Sequence, residues 1–136
     1  MFLQSTGEEQ KEAIKHFYDR LSPHFRSLWG PHLHDGYYKT GKETRERAQE
    51  QLVEFLAELA EIPRGSRVLD VGCGPGDITV RFAKAFPHCQ VHGVDGSEAM
   101  LSYQDMIIGK SPEVSDRVHF IHGFLPGALL PLPQYD

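Results

Sequence analysis

The residues of this 136-residue chain best suited to chemistry are two aspartates, Asp70 and Asp95, on either side of a glycine-rich stretch. Asp70 lies in a short apolar run, and Gly72, Gly74 and Gly76 follow it closely. A carboxylate accepts hydrogen bonds from an ammonium group or from hydroxyls. Three glycines so close together disfavour a helix or strand interior, so we expect the backbone to turn sharply there or to approach a ligand closely.

The elements that must position these residues are predicted to be a strand before the glycines and a helix after them. The branched apolar residues of 67–71 are typical of a strand buried on both faces. After Asp77, apolar residues recur at helical spacing. Further parallel strands are predicted over 90–95, ending in Asp95, and over 117–123. Strand, glycine turn and helix form the first half of a ligand-binding βαβ unit.

The turn is compatible with three classes of ligand, and its residues favour one of them. A P-loop would end in Gly-Lys-Ser/Thr, which is not present here. A dinucleotide fold would have its third glycine or alanine where this chain has Asp77, and a carboxylate there would repel a pyrophosphate at the helix N-terminus. A nicotinamide oxidoreductase is therefore disfavoured. S-adenosylmethionine (SAM) carries no phosphate, and its ammonium group could bind Asp70. Asp95 follows Asp70 by about 25 positions, near the spacing expected of a carboxylate that binds both ribose hydroxyls.

These residues resemble the class I SAM-dependent methyltransferases. The glycine motif of that family matches residues 70–76, its ribose-binding acid matches Asp95, and its third strand resembles 117–123. The resemblance implies a Rossmann-like three-layer α/β sandwich and an enzyme that transfers a methyl group from SAM to a small-molecule acceptor. After Gly123 the family often has an aspartate that reaches the adenine amine, whereas this chain has Phe124. Apolar contact with the adenine ring is therefore the expected role of Phe124.

The aromatic segment 29–38 resembles small-molecule methyltransferases of the tocopherol and natural-product type. That likeness implies that the N-terminal helix and this segment cover the pocket, with Tyr37 or Tyr38 touching the methionine part of SAM. Met100 could lie beside the adenosine or belong to the core, and Cys73 is expected to contribute only its backbone. The predicted cofactor-binding residues are Tyr37, Asp70, Gly72, Cys73, Gly74, Gly76, Asp95, Gly96, Met100, Gly123 and Phe124.

No catalytic residue is assigned from the sequence. His34 could act as a base, line the pocket or lie on the surface. His32 and His34 have the spacing of a metal pair, but no third ligand is evident, so no metal site is predicted.

Composition limits the partners. A formal net charge of −5 argues against nucleic acid, because phosphate binding needs a positive patch. No apolar run approaches membrane-spanning length, and no signal peptide is apparent at Met1. The two cysteines do not form a disulfide framework, so a reducing cytoplasm is predicted.

The chain divides into a predicted helical cap, residues 1–62, and a SAM-binding half-domain, residues 63–136. In the cap, a first helix begins at a capping box over 6–9 and is expected to end at Pro23. A second helix is expected to run from a capping box over 40–43 to about Glu61, with four apolar side chains packed inward: Leu52, Phe55, Leu56 and Leu59. In the half-domain, one helix is expected from Ser97 to Gly109, and an irregular loop over 125–136.

The chain ends at Asp136, which resembles the residues just before the fourth strand of the family. Three strands in the partial order 3-2-1 would leave the 67–71 strand as an open hydrophobic edge, which invites pairing with another chain. We therefore expect a homo-oligomer or a partner chain over this edge. The leading hypothesis is a methyltransferase of which this chain is the cofactor-binding half. The alternative is a non-catalytic SAM-binding or interaction module that needs a partner to complete the sheet.

Overall fold

The computed structural model describes residues 7–30, 34–125 and 135. Within these residues, a three-stranded sheet is combined with five α-helices and a 3₁₀ turn. In chain order the elements are α1 Gly7–Trp29, α2 Arg45–Leu59, β1 Arg67–Val71, α3 Asp77–Ala85, β2 Gln90–Asp95, α4 Glu98–Leu101, α5 Gln104–Gly109, the 3₁₀ turn Pro112–Val114 and β3 Val118–His122.

The sheet is parallel throughout, with β2 between β1 and β3, which confirms the predicted order 3-2-1. Asp70 lies opposite Gly93 in the β1–β2 register, and Asp95 lies opposite His122 in the β2–β3 register. The carboxyl ends of all three strands therefore meet at one edge of the sheet. In the described part of the chain, β1 pairs with β2 alone, and Val71 at its end is 60% exposed.

The core lies between the sheet and α3. Its fully or nearly buried members are Val80 and Ala83 of α3, Val91 of β2, Ile107 of α5, Val114 of the 3₁₀ turn and Val118 of β3. Every one is a small or branched apolar side chain, as tight packing of a helix on a parallel sheet requires. Arg117 secures the far end of this layer, because its Nη1 donates to the carbonyls of Ala83, Phe86 and Cys89 at 3.2, 3.3 and 3.0 Å.

The prediction that the first helix ends at Pro23 is wrong. α1 continues to Trp29 with Pro23 inside it. A proline removes one backbone donor and strains one turn of a helix, but the residues on both sides keep helical geometry here. The capping box predicted over 6–9 extends beyond the described residues, since Thr6 is not among them.

The second helix also differs from the prediction. It begins at Arg45, and its N-cap is Thr44, whose hydroxyl accepts from the backbone N–H of Arg47 at 3.2 Å. Glu43 does bond the backbone N–H of Thr40, at 2.9 Å, but this closes a turn in front of the helix and does not cap it.

The buried face of α2 is not the leucine face that the sequence predicted. Its buried residues are Ala48, Gln49, Gln51, Val53 and Ala57. Leu56 and Leu59 are 49% and 67% exposed. The backbone of the 34–38 segment runs close against Ala48, with the N–H of Tyr37 donating to its carbonyl at 2.7 Å. Ala48 leaves room for this close backbone approach, and the buried Gln49 side chain donates to the carbonyl of His34 at 2.6 Å. Contact with the 34–38 segment therefore decides which face of α2 is buried.

The sequence predicts a single helix after Ser97, whereas the structure has two short helices, α4 and α5, separated between Leu101 and Gln104. Ser97 is the N-cap as predicted, and its hydroxyl accepts from the backbone N–H of Met100 at 3.2 Å. The loop predicted over 125–136 falls almost wholly outside the described residues. None of the helices in the described ranges is long and apolar enough to cross a membrane.

Candidate cofactor site

A cavity of about 630 Å³ opens at the carboxyl ends of β1 and β2. In open α/β sheets, this is the end of the strands at which ligands bind. The sheet and its turns form one side of the cavity, α1 and α2 form another, and α4 with residues 123–125 closes a third. Nine of the eleven predicted cofactor-binding residues line it: Asp70, Gly72, Cys73, Gly74, Asp95, Gly96, Met100, Gly123 and Phe124.

The glycine turn has a backbone that only glycine adopts easily. Gly72, Gly74 and Gly76 have φ angles of 72°, 56° and 96°, in the left-handed region that side chains disfavour. The turn is fixed to β2, because the N–H groups of Gly72 and Cys73 both donate to the carbonyl of Val94, at 2.8 and 3.1 Å. A Cβ at Gly72 or Gly74 would meet open space, so a ligand can approach the backbone there.

Gly76 has a different role from the other two. A Cβ on it would run into the ring of Phe120, and Gly76 does not line the cavity. It is the N-cap of α3, directly before Asp77. Gly76 therefore allows α3 to pack closely on β3.

Asp95 is held by two backbone donors. Its Oδ2 accepts from the N–H of Gly74, in the turn after β1, at 2.8 Å. Its Oδ1 accepts from the N–H of Ser97 at 2.8 Å. A carboxylate has about four acceptor positions, so both oxygens can accept a further hydrogen bond. Asp95 is thus fixed in orientation while it still has acceptor capacity on the cavity side.

Asp70 is a partly buried carboxylate that is hydrogen-bonded by a neighbouring hydroxyl. Its Oδ2 accepts from the Thr79 hydroxyl at 2.6 Å. Burial raises the pKa of Asp70 above its ordinary value, and the negative charge of Asp95 raises it further, whereas the Thr79 hydrogen bond and the charge of His34 act in the opposite direction. A cationic ligand group next to Asp70 would stabilise its ionised form.

Cys73 is 6% exposed, and burial raises the pKa of its thiol, with Asp70 and Asp95 adding to the effect. The thiol is therefore protonated at neutral pH and is a poor nucleophile. This environment agrees with a backbone role for Cys73.

An apolar compartment lies next to Asp95. A Cβ on Gly96 would collide with the Phe124 ring, so the ring lies directly against the Gly96 backbone. Met100 is buried on α4, and Gly123 donates its N–H to the carbonyl of Asp95 at 2.9 Å. Phe124 and Met100 thus form apolar walls beside the predicted ribose acid, where an aromatic ring could bind.

A second apolar wall comes mainly from the two N-terminal helices, and residues of β1 and α3 complete it. Its members are Ile14 and Tyr18 of α1, Leu52 and Leu56 of α2, Val71 at the end of β1, and Ile78 of α3. The sequence indicated helical stripes in α1 and α2, but it did not indicate that either stripe faces a cavity. Lys15 and Ser97 also line the cavity and were not predicted.

Tyr37 does not line the cavity. Its ring packs on Phe55, with the ring centroids 5.0 Å apart. Tyr38 is likewise absent from the lining. Residues 31–33 of the predicted cover lie outside the described residues.

His34 does line the cavity. Its Nδ1 is 2.6 Å from the carbonyl oxygen of Asp35, and its own carbonyl accepts from the Gln49 side chain at 2.6 Å. Within the described residues, no group of three or more histidine, cysteine or acidic side chains could hold a metal ion.

A parallel sheet with a glycine turn after one strand and a fixed acid after the next defines a Rossmann-like protein that binds a nucleoside-containing cofactor. The methyltransferase domain family matches residues 68–135. The chain belongs to this family, as the resemblance to class I SAM-dependent methyltransferases predicted. It is a family of enzymes, and SAM is the cofactor of its class.

Individual relatives agree with this assignment. The chain is 30% identical over 112 residues to (+)-O-methylkolavelool synthase of Herpetosiphon aurantiacus, covering 81% of this chain and 39% of that protein. It is 35% identical over 103 residues to the 27-O-demethylrifamycin SV methyltransferase of Amycolatopsis mediterranei, covering 76% and 37%. Among solved structures, the [4+2]-cyclase SpnF matches with a TM-score of 0.73 and 28% identity, covering 83% of this chain and 43% of that one. The chain therefore spans about two fifths of the length of each.

Proposed function

We propose that this chain binds SAM in the 630 Å³ cavity and provides the cofactor-binding part of a methyltransferase that acts on a small apolar molecule. The single observation that carries the proposal is the Asp95 carboxylate, fixed by the N–H groups of Gly74 and Ser97 at the mouth of a glycine turn. Residues 1–62 serve as a cap over this site, and 63–136 as the cofactor-binding half-domain.

Each part of the cavity suits one part of the cofactor. Asp95 has acceptor capacity for ribose hydroxyls. Phe124 and Met100 provide apolar surface for the adenine ring, without the side-chain hydrogen bond that an aspartate would supply. Asp70 is partly buried at the other end of the turn, where it would accept a hydrogen bond from the ammonium group. The open backbone at Gly72 and Gly74 allows close approach to the cofactor.

The acceptor would occupy the wall formed by α1, α2 and Val71. Most side chains there are aliphatic or aromatic, and Lys15, which also lines the cavity from α1, is paired with Asp19. The wall therefore favours an apolar molecule through burial. The names of both relatives describe O-methylated natural products or their synthesis, and a small apolar acceptor fits that pattern.

The cofactor supplies an electrophilic methyl group, and the residues of the chain supply position. Holding two reactants in line can contribute about 7–11 kcal/mol to lowering a barrier. α1 and α2 exclude water from one side of the cavity. His34 is the histidine that lines the cavity in the described ranges. Removal of a proton from an acceptor by His34 stays a hypothesis.

The experiment is calorimetric titration with S-adenosylhomocysteine (SAH), the demethylated product of the cofactor, in the wild type and two isosteric variants. Asp95→Asn replaces one acceptor oxygen with an NH₂ group that faces a backbone donor, so we expect about ten- to one-hundred-fold weaker binding. Asp105→Asn, at an exposed position in the first turn of α5, is the control and should bind like the wild type. Unfolding in urea separates a loss of affinity from a loss of structure.

The proposal fails if the folded wild type does not bind SAH, or if Asp95→Asn binds it as tightly as the wild type. Tighter binding of NAD than of SAH would instead support an oxidoreductase. SpnF, which is named for a cyclisation, has this fold, so binding alone does not establish methyl transfer. Transfer of labelled methyl from SAM to an apolar acceptor is the second readout.

A second candidate function is a SAM-binding module without catalysis of its own. The observation that favours it is β1, which has a strand on one side only in the described residues and ends in the exposed Val71. In this case a homo-oligomer or a partner chain would complete the sheet. A monomer by light scattering that transfers methyl groups unaided would exclude it.

A further inference from the structure

Helix α1 is attached to the cofactor side of the cavity by a partly buried hydrogen bond. Oδ1 of Asp19 accepts from the Ser97 hydroxyl at 2.6 Å and lies 3.4 Å from the N–H of Ala99. Its Oδ2 is 2.8 Å from Nζ of Lys15. Ser97 is 2% exposed. The contact joins residues 78 positions apart and belongs to the packing of α1 on α4.

The same serine is linked to the predicted ribose acid. The N–H of Ser97 donates to Oδ1 of Asp95, and Oδ2 of Asp95 accepts from the N–H of Gly74. The Ser97 hydroxyl accepts from the N–H of Met100, so its proton is available for Asp19. Three consecutive hydrogen-bonded contacts therefore connect α1 to the glycine turn through Asp95.

Several large apolar side chains described on α1 are about half exposed. Ile14 and Phe17 on this helix are 50% and 52% exposed, and Tyr18 is 41% exposed. The pKa of Asp19 is lowered, first by the hydrogen bond from Lys15 and next by that from Ser97, which shows that the folded state favours its ionised form. The Asp19 contact is thus a substantial part of what places Ile14, Lys15 and Tyr18 over the cavity.

We infer that Asp19 is a positioning residue, and that its hydrogen bond to Ser97 couples the docking of α1 over the cavity to the binding of SAM at Asp95. This inference rests on the proposed function. A ligand that orders Asp95 and the 95–97 turn also orders the donor that Asp19 needs. Because coupling between two binding events is reciprocal, docking of α1 strengthens cofactor binding by the same factor by which the cofactor strengthens docking.

The test combines hydrogen exchange with calorimetry, both with and without SAH. In the wild type, SAH should protect amides of the glycine turn, 72–76, and also amides of α1. In Asp19→Ala, we expect protection of the turn to persist, protection of α1 to be lost, and SAH affinity to fall about three- to tenfold. Asp19→Asn keeps an oxygen that can accept from Ser97, so it should recover most of the affinity. Glu8→Ala, which removes an exposed ion pair with Lys11 on the same helix, should behave as the wild type.

A double-mutant cycle with Ser97→Ala shows whether the two residues act together. If they do, Asp19→Ala/Ser97→Ala binds SAH no more weakly than the weaker single variant, whereas additive losses would overturn the coupling. If SAH slows hydrogen exchange in the glycine turn of the wild type but not in α1, the inference is overturned and the proposed function stands. Absence of turn protection in the wild type overturns both. Exchange of the core β2 amides, measured in every variant, shows that each one is folded.

Discussion

Replacing Gly93 with alanine tests whether the glycine turn depends on packing against β2. Gly93 lies in the middle of β2, opposite Asp70. A Cβ there would lie 2.9 Å from both Cβ and Sγ of Cys73 and 2.9 Å from Cδ1 of Phe120. These distances are well below the optimal separation of about 3.5–4.0 Å between carbon atoms. The turn, the Phe120 ring or the strand must therefore move.

The expected effect follows from two opposing contributions. Overpacking a core position costs about 1–3 kcal/mol. Replacing glycine by alanine within a strand recovers about 0.5–1 kcal/mol of backbone entropy. Cys73 cannot move away freely, because its N–H bonds the carbonyl of Val94 at 3.1 Å. We expect Gly93→Ala to lower the free energy of unfolding by about 1–2 kcal/mol.

The same displacement should weaken cofactor binding, because Gly74, which orients Asp95, follows Cys73 directly. A loss of about 1.4 kcal/mol corresponds to a tenfold weaker affinity for SAH. Urea unfolding and calorimetry measure the two quantities separately. Gly109→Ala is the matched control, because its Cβ meets open space at the end of α5, and it should leave SAH binding unchanged and stability equal or slightly higher. A Gly93→Ala protein as stable as the wild type, with the same SAH affinity, would refute the reasoning.

Three further predictions concern individual side chains. The pKa of Asp70 is raised in the folded state, so folding favours the protonated form of its carboxyl. The protonated carboxyl therefore stabilises the fold fully below its ordinary pKa of 3.8, and this stabilisation is lost as pH rises through the folded pKa. Asp70→Asn should therefore gain stability relative to the wild type between pH 3.5 and pH 7 in urea unfolding, while SAH binding weakens; a pH-independent difference would contradict this. Arg117→Met keeps the aliphatic stem but removes the donor to three carbonyls, so unfolding should become about 2 kcal/mol easier with SAH affinity unchanged. The Cys73 thiol, buried and with a raised pKa, should react with a thiol reagent at pH 8 at least about a hundredfold more slowly than in urea, and an unprotected rate would be inconsistent with this turn.

The parts of the site that the sequence predicted are those with a local physical cause. Gly72 and Gly74 were identified because a positive φ restricts the residue type at that position. The strands were identified from runs of branched apolar residues, and the bounds of β2 agree with 90–95. Asp95 was identified because it ends a strand at a characteristic distance after the turn. In each case, the information lies within a few residues of the feature.

The features that the sequence missed depend on what packs against an element from elsewhere in the chain. Pro23 predicts a helix end because a proline inside a helix has a high local cost, yet the helix continues beyond it. The buried face of α2 differs from the prediction because the neighbouring 34–38 segment packs its backbone on Ala48 and accepts a hydrogen bond from Gln49, a contact that the leucine spacing does not indicate. The Asp19–Ser97 bond joins positions 78 apart, and no periodicity or spacing in the sequence could indicate it.

The charges around the cavity also explain why it suits a sulfonium nucleoside better than a dinucleotide. Two carboxylates, Asp70 and Asp95, lie in its lining, and Asp77 stands at the N-terminus of α3, where a pyrophosphate would otherwise be stabilised. Among the described lining residues, Lys15 is the one side chain with a permanent positive charge, and it is already paired with Asp19. A diphosphate would add negative charge to a site that has little to neutralise it. A ligand with an ammonium group, a sulfonium and two hydroxyls would instead bring positive charge to Asp70 and hydrogen-bond donors to Asp95, so the same two residues that repel one class of cofactor would bind the other.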